Sequence, residues 1–319
     1  MSVADLIHLN LTSPAVLAFV LGALAVAIKS DLRLSEHVTA LLSTYLLLAI
    51  GLKGGLKLRE ADIADLWKPS LVVLALGCLI PVVAFTLGRK YLGLGAQDAA
   101  AIAAHYGSVS AVTFTAAETF NKTAGQLDEK FMPALVALME IPGIIVALVI
   151  ASRYVARTSV GAAVREVLSG KSIVLLVGGL LIGTFAARDS LTQVEPLFVD
   201  MFAGVLVLFL LDLGTTAGRR ISDVQKVGMK LVAFGIGMPI VFGTLGTFAG
   251  VAIGMSVGGA AVLGTMAASA SYIAAPAAVR VGLPEANLGL CLGASLGVTF
   301  PFNLIVGIPL FSEIAKLVN

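Results

Sequence analysis

A chain segment that crosses a bilayer must keep its backbone N–H and C=O groups paired, because hydrocarbon offers them no partner. A break halfway along an apolar run therefore tightly constrains what the chain can fold into. This chain has two, at Ser108-Val109-Ser110 and at Ser269-Ala270-Ser271, each inside an Ala-rich apolar stretch. They stand 161 residues apart in a chain of 319, at corresponding points of its two halves. Paired breaks in matching places of two halves point to the binding site of a transporter.

The runs around them have membrane length. With 58% hydrophobic and 13% charged residues, the chain is far more apolar than a soluble domain. Ten runs are long enough to read as transmembrane helices, near 14–28, 36–53, 68–88, 97–119, 131–152, 171–187, 196–216, 228–252, 257–280 and 286–315. Asp5 and the lack of an early basic residue argue against a signal peptide. Thirteen of the 21 Lys and Arg fall in the loops after the odd-numbered runs. The positive-inside rule makes that face cytoplasmic and places both termini outside, in the inner (plasma) membrane of a bacterium. Cys78 and Cys291 lie within runs and read as packing residues. A net charge of +2 gives no reason to expect nucleic acid.

The halves repeat. Gly77 to Pro81 matches Gly235 to Pro239, Gly55 matches Gly214 and Pro142 matches Pro301, at offsets of 158 or 159. Each half, 1–157 and 158–319, holds five runs. An odd number makes the second copy cross in the opposite sense, so the expected fold is an all-α integral membrane protein. Its ten transmembrane helices form 5+5 inverted repeats, with helices 4 and 9 discontinuous. The stretch from Arg153 to Lys171 reads as a short, polar, basic hinge.

A break starts a new half-helix, whose first N–H groups are unpaired and carry partial positive charge. Inversion aims two such ends at one point. With Gly107, Ser108, Ser110, Thr113, Ser269 and Ser271 supplying hydroxyls and close backbone, that point suits a small anion of low charge. Hydroxyls that merely bond back to their own helix are the plainer alternative.

Among ionisable residues in the runs, Glu140 stands out. Pro142 lacks an N–H and frees carbonyls near Leu138 and Met139, so carboxylate and carbonyl oxygens together suit Na⁺ or a proton relay. The matching stretch of run 10 offers Thr299 and Asn303. Lys53 and Asp212, repeat-related at an offset of 159, read as solvated helix-end charges, with pairing across the pseudo-two-fold axis as the alternative, and Glu118 as the water-facing end of run 4. His105 reads as a packed neutral ring, with a proton-coupling role as the alternative. Trp67, Tyr45 and Tyr91 read as interfacial anchors. There is no P-loop, no Gly-x-Ser-x-Gly and no His/Cys metal spacing, and an enzyme is not expected.

These residues resemble the sodium-dependent bicarbonate transporter family of bacteria, over nearly the whole chain. The likeness runs from Ala267-Ala268-Ser269 through Ile273, Pro276, Arg280, Gly282 and Pro284 to Ala286-Asn287. It returns at Gly51-Leu52, Gly54-Gly55, Gly107, Val109-Ser110, Thr113, Ile141-Pro142 and Pro309-Leu310-Phe311. The resemblance implies a core domain of spans 3–5 and 8–10 that holds the anion. Spans 1, 2, 6 and 7 would form a gate and scaffold, usually trimeric, and bicarbonate would enter with Na⁺. It implicates Gly107, Ser110, Thr113, Ser269 and Ser271 in anion binding. The chain departs from the pattern at Ala111-Val112, where the family has Gly-Ser, and at Tyr272 and Glu140, where it has Asp. The family's long insert between the halves is missing, which speaks against its PII-like regulatory partner. Two other readings remain open: a proton-coupled transporter or exchanger of another small anion, such as a small carboxylate, and a non-transporting membrane sensor on the same fold.

Overall fold

The computed structural model describes residues 8, 10–60, 62–154 and 159–319, without the side chains of 63 and 220–227. Asp5, Arg157 and the boundary at 157/158 lie outside the described residues. Within them the chain is 81% helix and has no strand. The helices used below are α1 (Pro14–Ala27), α2 (Glu36–Leu58), α3 (Trp67–Lys90), α4 (Ala96–Gly107), α5 (Ala111–Thr123) and α6 (Met132–Ser152). They continue with α7 (Val160–Ser169), α8 (Lys171–Phe185), α9 (Phe202–Val227), α10 (Met229–Ala252), α11 (Val257–Ala268), α12 (Ala274–Gly282) and α13 (Leu288–Val318).

Six of these, α2, α3, α6, α9, α10 and α13, are each long and apolar enough to cross a membrane, and α7 with α8 makes a seventh bent by 45°. The chain is a multi-pass membrane protein. The other runs expected to span are shorter pieces: α1 has 14 residues, and α4/α5 and α11/α12 are each divided by a break. Local chemistry sets many starts. Ser13 precedes Pro14 and accepts from the Val16 N–H, Ser35 caps α2, and Ser256 caps α11. Ser256 is itself held by Glu129, whose carboxylate takes its N–H and its hydroxyl, both at 2.6 Å.

Three expectations change. The hinge before Lys171 contains α7, because Val160, Ala163 and Val167 fall on one face at helical spacing. That face lies on α12, with Ala163 and Leu148 closing on Gly282. Run 7 does not begin at Pro196: residues Pro196–Asp200 form a π turn, and the helix proper runs on to Val227. Run 10 is widened by π segments at Gly293–Thr299 and Asn303–Gly307, on either side of Pro301. Pro309 can donate nothing to the Ile305 carbonyl, and the Asn10 amide takes it at 3.1 Å and the Leu304 carbonyl at 2.7 Å.

Helix pairing follows glycine. Helix α2 lies against α8 where Gly51 meets Gly179 and Gly55 meets Gly183, and α1 lies against α9 where Gly22 meets Gly214. Helix α3 packs on α4 with Gly88 against Ala99, and α10 on α11 with Gly250 against Ala260. Small residues let backbones approach where lipid gives no hydrophobic drive to association.

One contact joins these groups through charge. Glu118 does not itself face water: it is buried and paired with Lys122 of its own helix at 2.5 Å and with Lys57 of α2 at 3.6 Å. Replacement by glutamine, Glu118→Gln, leaves two lysines, 31% and 35% exposed, facing each other without their carboxylate. The expected loss is about 1–3 kcal/mol, below that of a fully buried pair because water screens the lysines. A thermal melt of the purified variant in detergent checks it; a midpoint equal to the native one contradicts the pairing.

Candidate functional site

The site forms where the two breaks cross. Ala99, Ala100, Ala101, Ala103 and Ala104 are the best helix formers and, with Ile102, carry α4 up to Gly107, buried from Ala99 onward. Gly107 must be glycine, since a Cβ there would stand 2.8 Å from the Gly143 Cα of α6 and 3.0 Å from Pro81. Ser108, Ser110 and Ser269 then adopt extended backbone.

The extended segments satisfy one another. The Ser110 N–H donates to the Ser269 hydroxyl at 2.9 Å. The Ser271 N–H donates to the carbonyls of His105 at 2.7 Å and Ser108 at 3.0 Å. The Ser271 carbonyl accepts from His105 Nδ1 at 2.7 Å. Carbonyls orphaned at the end of α4 thus find donors on the second break, which answers the cost of breaking a helix in a low-dielectric interior.

Hydrogen-bond bookkeeping sorts the expected residues. Ser110 accepts from the Thr113 N–H at 3.2 Å and from the Thr113 hydroxyl at 3.0 Å, so its own proton is uncommitted. Ser271 accepts from the N–H groups of Ala274 and Ala275, both at 3.3 Å, and its proton is likewise free. Ser269 donates to the Met266 carbonyl at 2.8 Å while accepting from Ser110, so its role is structural bracing. Ser108 Oγ is buried with no partner. All six expected residues are therefore brought to one crossing, with Gly107 and Ser269 building it and Ser108, Ser110 and Ser271 left able to donate.

The residues expected for ion coupling differ in their bonding. Glu140 is buried in α6, and its Oε2 has no partner. Thr299 donates to the Gly235 carbonyl at 2.7 Å and so accepts from the Tyr106 hydroxyl at 2.6 Å. Asn303 donates to the Ala268 carbonyl at 2.8 Å, and its Oδ1 is buried and unpaired. No hydrogen bond links Glu140 to Thr299 or Asn303 among the described residues. Neither Lys53 nor Asp212 is a solvated end charge: the Lys53 ammonium lies 3.9 Å from the Phe202 ring centroid, and buried Asp212 accepts from the Thr39 hydroxyl at 2.7 Å.

Two residues of the crossing were undervalued in the sequence. His105 is more than filler, since its ring ties α4 to the second break and its Nε2 is buried without a partner. With Nδ1–H donating to a carbonyl, the neutral ring offers Nε2 as an acceptor. Tyr272, noted only as a departure from a pattern, sits beside Ser271 with its hydroxyl buried and unpartnered. Closeness to a break was the available signal for both: Tyr272 directly follows Ser271, and His105 comes three residues before Ser108.

A cavity of about 850 Å³ opens among Arg33, Lys171, Arg219 and Arg280, with Glu36 and Asp212, and ends at Tyr272, Ile273 and Pro276. These basic residues belong to the set counted after the odd-numbered runs, with Arg33 on a loop and Lys171, Arg219 and Arg280 on helices. A second cavity, of about 500 Å³, opens on the opposite loops among Glu60, Asp62, Asp65, Asp128 and Glu129 and has no residue of either break in its wall. The positive vestibule draws anions toward the crossing; the acidic one does not.

A family model described as the Na⁺-dependent bicarbonate transporter superfamily matches residues 14–316. No curated protein matches the chain.

Proposed function

The chain belongs to the Na⁺-dependent bicarbonate transporter superfamily, and from that premise we propose that it imports a small monovalent anion, bicarbonate first, together with Na⁺. The observation that carries this reading is the mutual bonding of the two breaks through Ser110, Ser269 and Ser271, with three serine protons left over. Donors without a charged partner suit an anion of low charge, which must be held loosely enough to leave again.

Ten spans in two inverted repeats account for the paired contacts. Gly55 on Gly183 and Gly214 on Gly22 are the same contact made twice with the halves exchanged, as are Gly88 on Ala99 and Gly250 on Ala260. On this reading α3–α6 and α10–α13 are the core that carries the anion, while α1, α2, α8 and α9 are the scaffold. The basic vestibule is the cytoplasmic mouth, both termini lie outside the bacterial inner membrane, and the crossing is reached from within. Core sliding against scaffold moves the site between faces. On the outer side Lys57 and Glu118 join scaffold to core.

Glu140, Thr299 and Asn303 serve coupling. Glu140 has an unpartnered buried oxygen and Asn303 an unpartnered buried carbonyl, both hard oxygens of the kind Na⁺ takes. The same lone carboxylate favours a second reading, in which a proton replaces Na⁺.

Uptake of labelled bicarbonate into proteoliposomes separates the readings. An inward Na⁺ gradient is expected to drive accumulation, K⁺ in its place is not, and Glu140→Gln is expected to lower the Na⁺-driven rate by about tenfold or more. Accumulation driven by a pH gradient without Na⁺ selects the proton-coupled reading. No uptake of any small anion under either gradient sinks both and leaves the sensor.

A further inference from the structure

Tyr272 belongs to the vestibule and to the crossing at once. Its ring forms part of the vestibule wall. Its hydroxyl is buried, has no hydrogen-bond partner and approaches the Ser110 side chain. The backbone beside it is held firmly, since Ser271 uses its N–H and its carbonyl on α4. Movement at this position is therefore rotation of the side chain rather than displacement of the loop. The ring rests edge-on against Phe300 of α13, at 5.5 Å and 74°, and Phe300 rests edge-on against Phe19 of α1, at 5.3 Å and 70°. A chain of three aromatic rings thus runs from the second break to the neighbouring helix pair.

A buried hydroxyl without a partner is costly, and it persists where something else is meant to meet it. An anion drawn into the basic vestibule meets the ring first; one already at the crossing meets the hydroxyl. We propose that Tyr272 closes the vestibule off from the serine crossing and donates its hydroxyl to the anion held there, so that this side chain limits the size of anion the site takes. The proposal rests on the anion-site reading above. It adds a gate and a specificity-determining donor that the six serine, threonine and glycine positions do not include.

The test reads access separately from transport. In a background where the two free cysteines are removed (Cys78→Ser and Cys291→Ala), Ser110→Cys is introduced. The purified protein in detergent is then treated with a small charged methanethiosulfonate reagent. Reaction speed follows the fraction of time the path is open, so Tyr272→Ala is expected to speed labelling by about tenfold or more, and Tyr272→Phe, which keeps the ring, by less than about twofold. Equal rates for Tyr272 and Tyr272→Ala overturn the gate. Tyr272→Leu repeats the comparison if the alanine variant does not fold.

The donor is read without the cysteine. Thermal-shift titration of Tyr272→Phe with bicarbonate is expected to give about tenfold weaker binding than native protein, as for loss of one hydrogen bond to a charged group. Tyr272→Ala is expected to gain affinity for benzoate relative to bicarbonate. Unchanged bicarbonate affinity in Tyr272→Phe removes the donor role. If native protein binds no small anion at all, the transport reading fails, while the labelling rates still decide whether Tyr272 closes the path.

Discussion

Replacing Ser110 and Ser271 together by alanine is expected to lower bicarbonate uptake by at least about a hundredfold, because each change removes a donor to a buried charge worth about 1.5–3 kcal/mol. Both hydroxyls are also caps. Ser110 accepts from the Thr113 N–H and Ser271 from the Ala274 and Ala275 N–H groups, so some stability falls too, by about 1 kcal/mol for each cap. Binding and folding are separated by Ser110→Asn, since asparagine caps as well as serine but fills the crossing with a larger amide. That variant is expected to melt near the native midpoint while its uptake collapses. Ser269→Ala differs again: Ser269 is spent on Met266 and Ser110, so its loss is expected to loosen the crossing without removing a free donor. Full uptake by the double alanine variant, measured in proteoliposomes under a Na⁺ gradient, would falsify the placement of the anion at the crossing.

The second large effect concerns a residue that binds nothing. Gly143→Ala, the smallest substitution available, is expected to destabilise the protein by about 3 kcal/mol or more and to lower its thermal midpoint by roughly 10 °C. A Cβ at Gly143 would stand 1.9 Å from the Gly107 carbonyl oxygen and 2.1 Å from its carbon. Neither atom belongs to a flexible side chain that could turn away. Helix α6 would have to retreat from the end of α4, and the crossing built on that end would open. Anion binding is therefore expected to fall together with stability. Gly178→Ala is the matched control: it too lies in a helix, its Cβ would meet nothing within 4 Å, and it is expected to be neutral or stabilising by about 0.5–1 kcal/mol. Equal melting of the two variants refutes the close-approach argument.

The breaks, the apolar runs and the candidate serines were legible in the chain because each is a local property. Extended backbone at Ser108, Ser110 and Ser269 follows from residues that cap helices better than they continue them. Lengths were less legible. Run 7 began too early because Pro196–Asp200 is apolar yet coils as a π turn, and hydropathy does not distinguish the two. Helix α7 was missed because its apolar face is only three residues wide and is completed by α12. Glu118 and Lys53 were misread as solvated because a charge near a helix end looks the same whether or not a neighbouring helix covers it.

Sequence by itself determined that the chain enters a membrane, that it breaks two helices at matched points, and that hydroxyls rather than charges stand at those points. All of these follow from composition and short-range bonding. Only the tertiary structure decided which hydroxyls remain free. Ser269 is consumed by Met266 and Ser110, whereas Ser108 is left unpaired and Tyr272 turns its hydroxyl inward. It also decided which face opens to the site, through the basic residues gathered around the vestibule. The reason is physical. A hydroxyl's availability depends on the partners that other helices bring within about 3 Å, and those partners lie some 160 residues away along the chain.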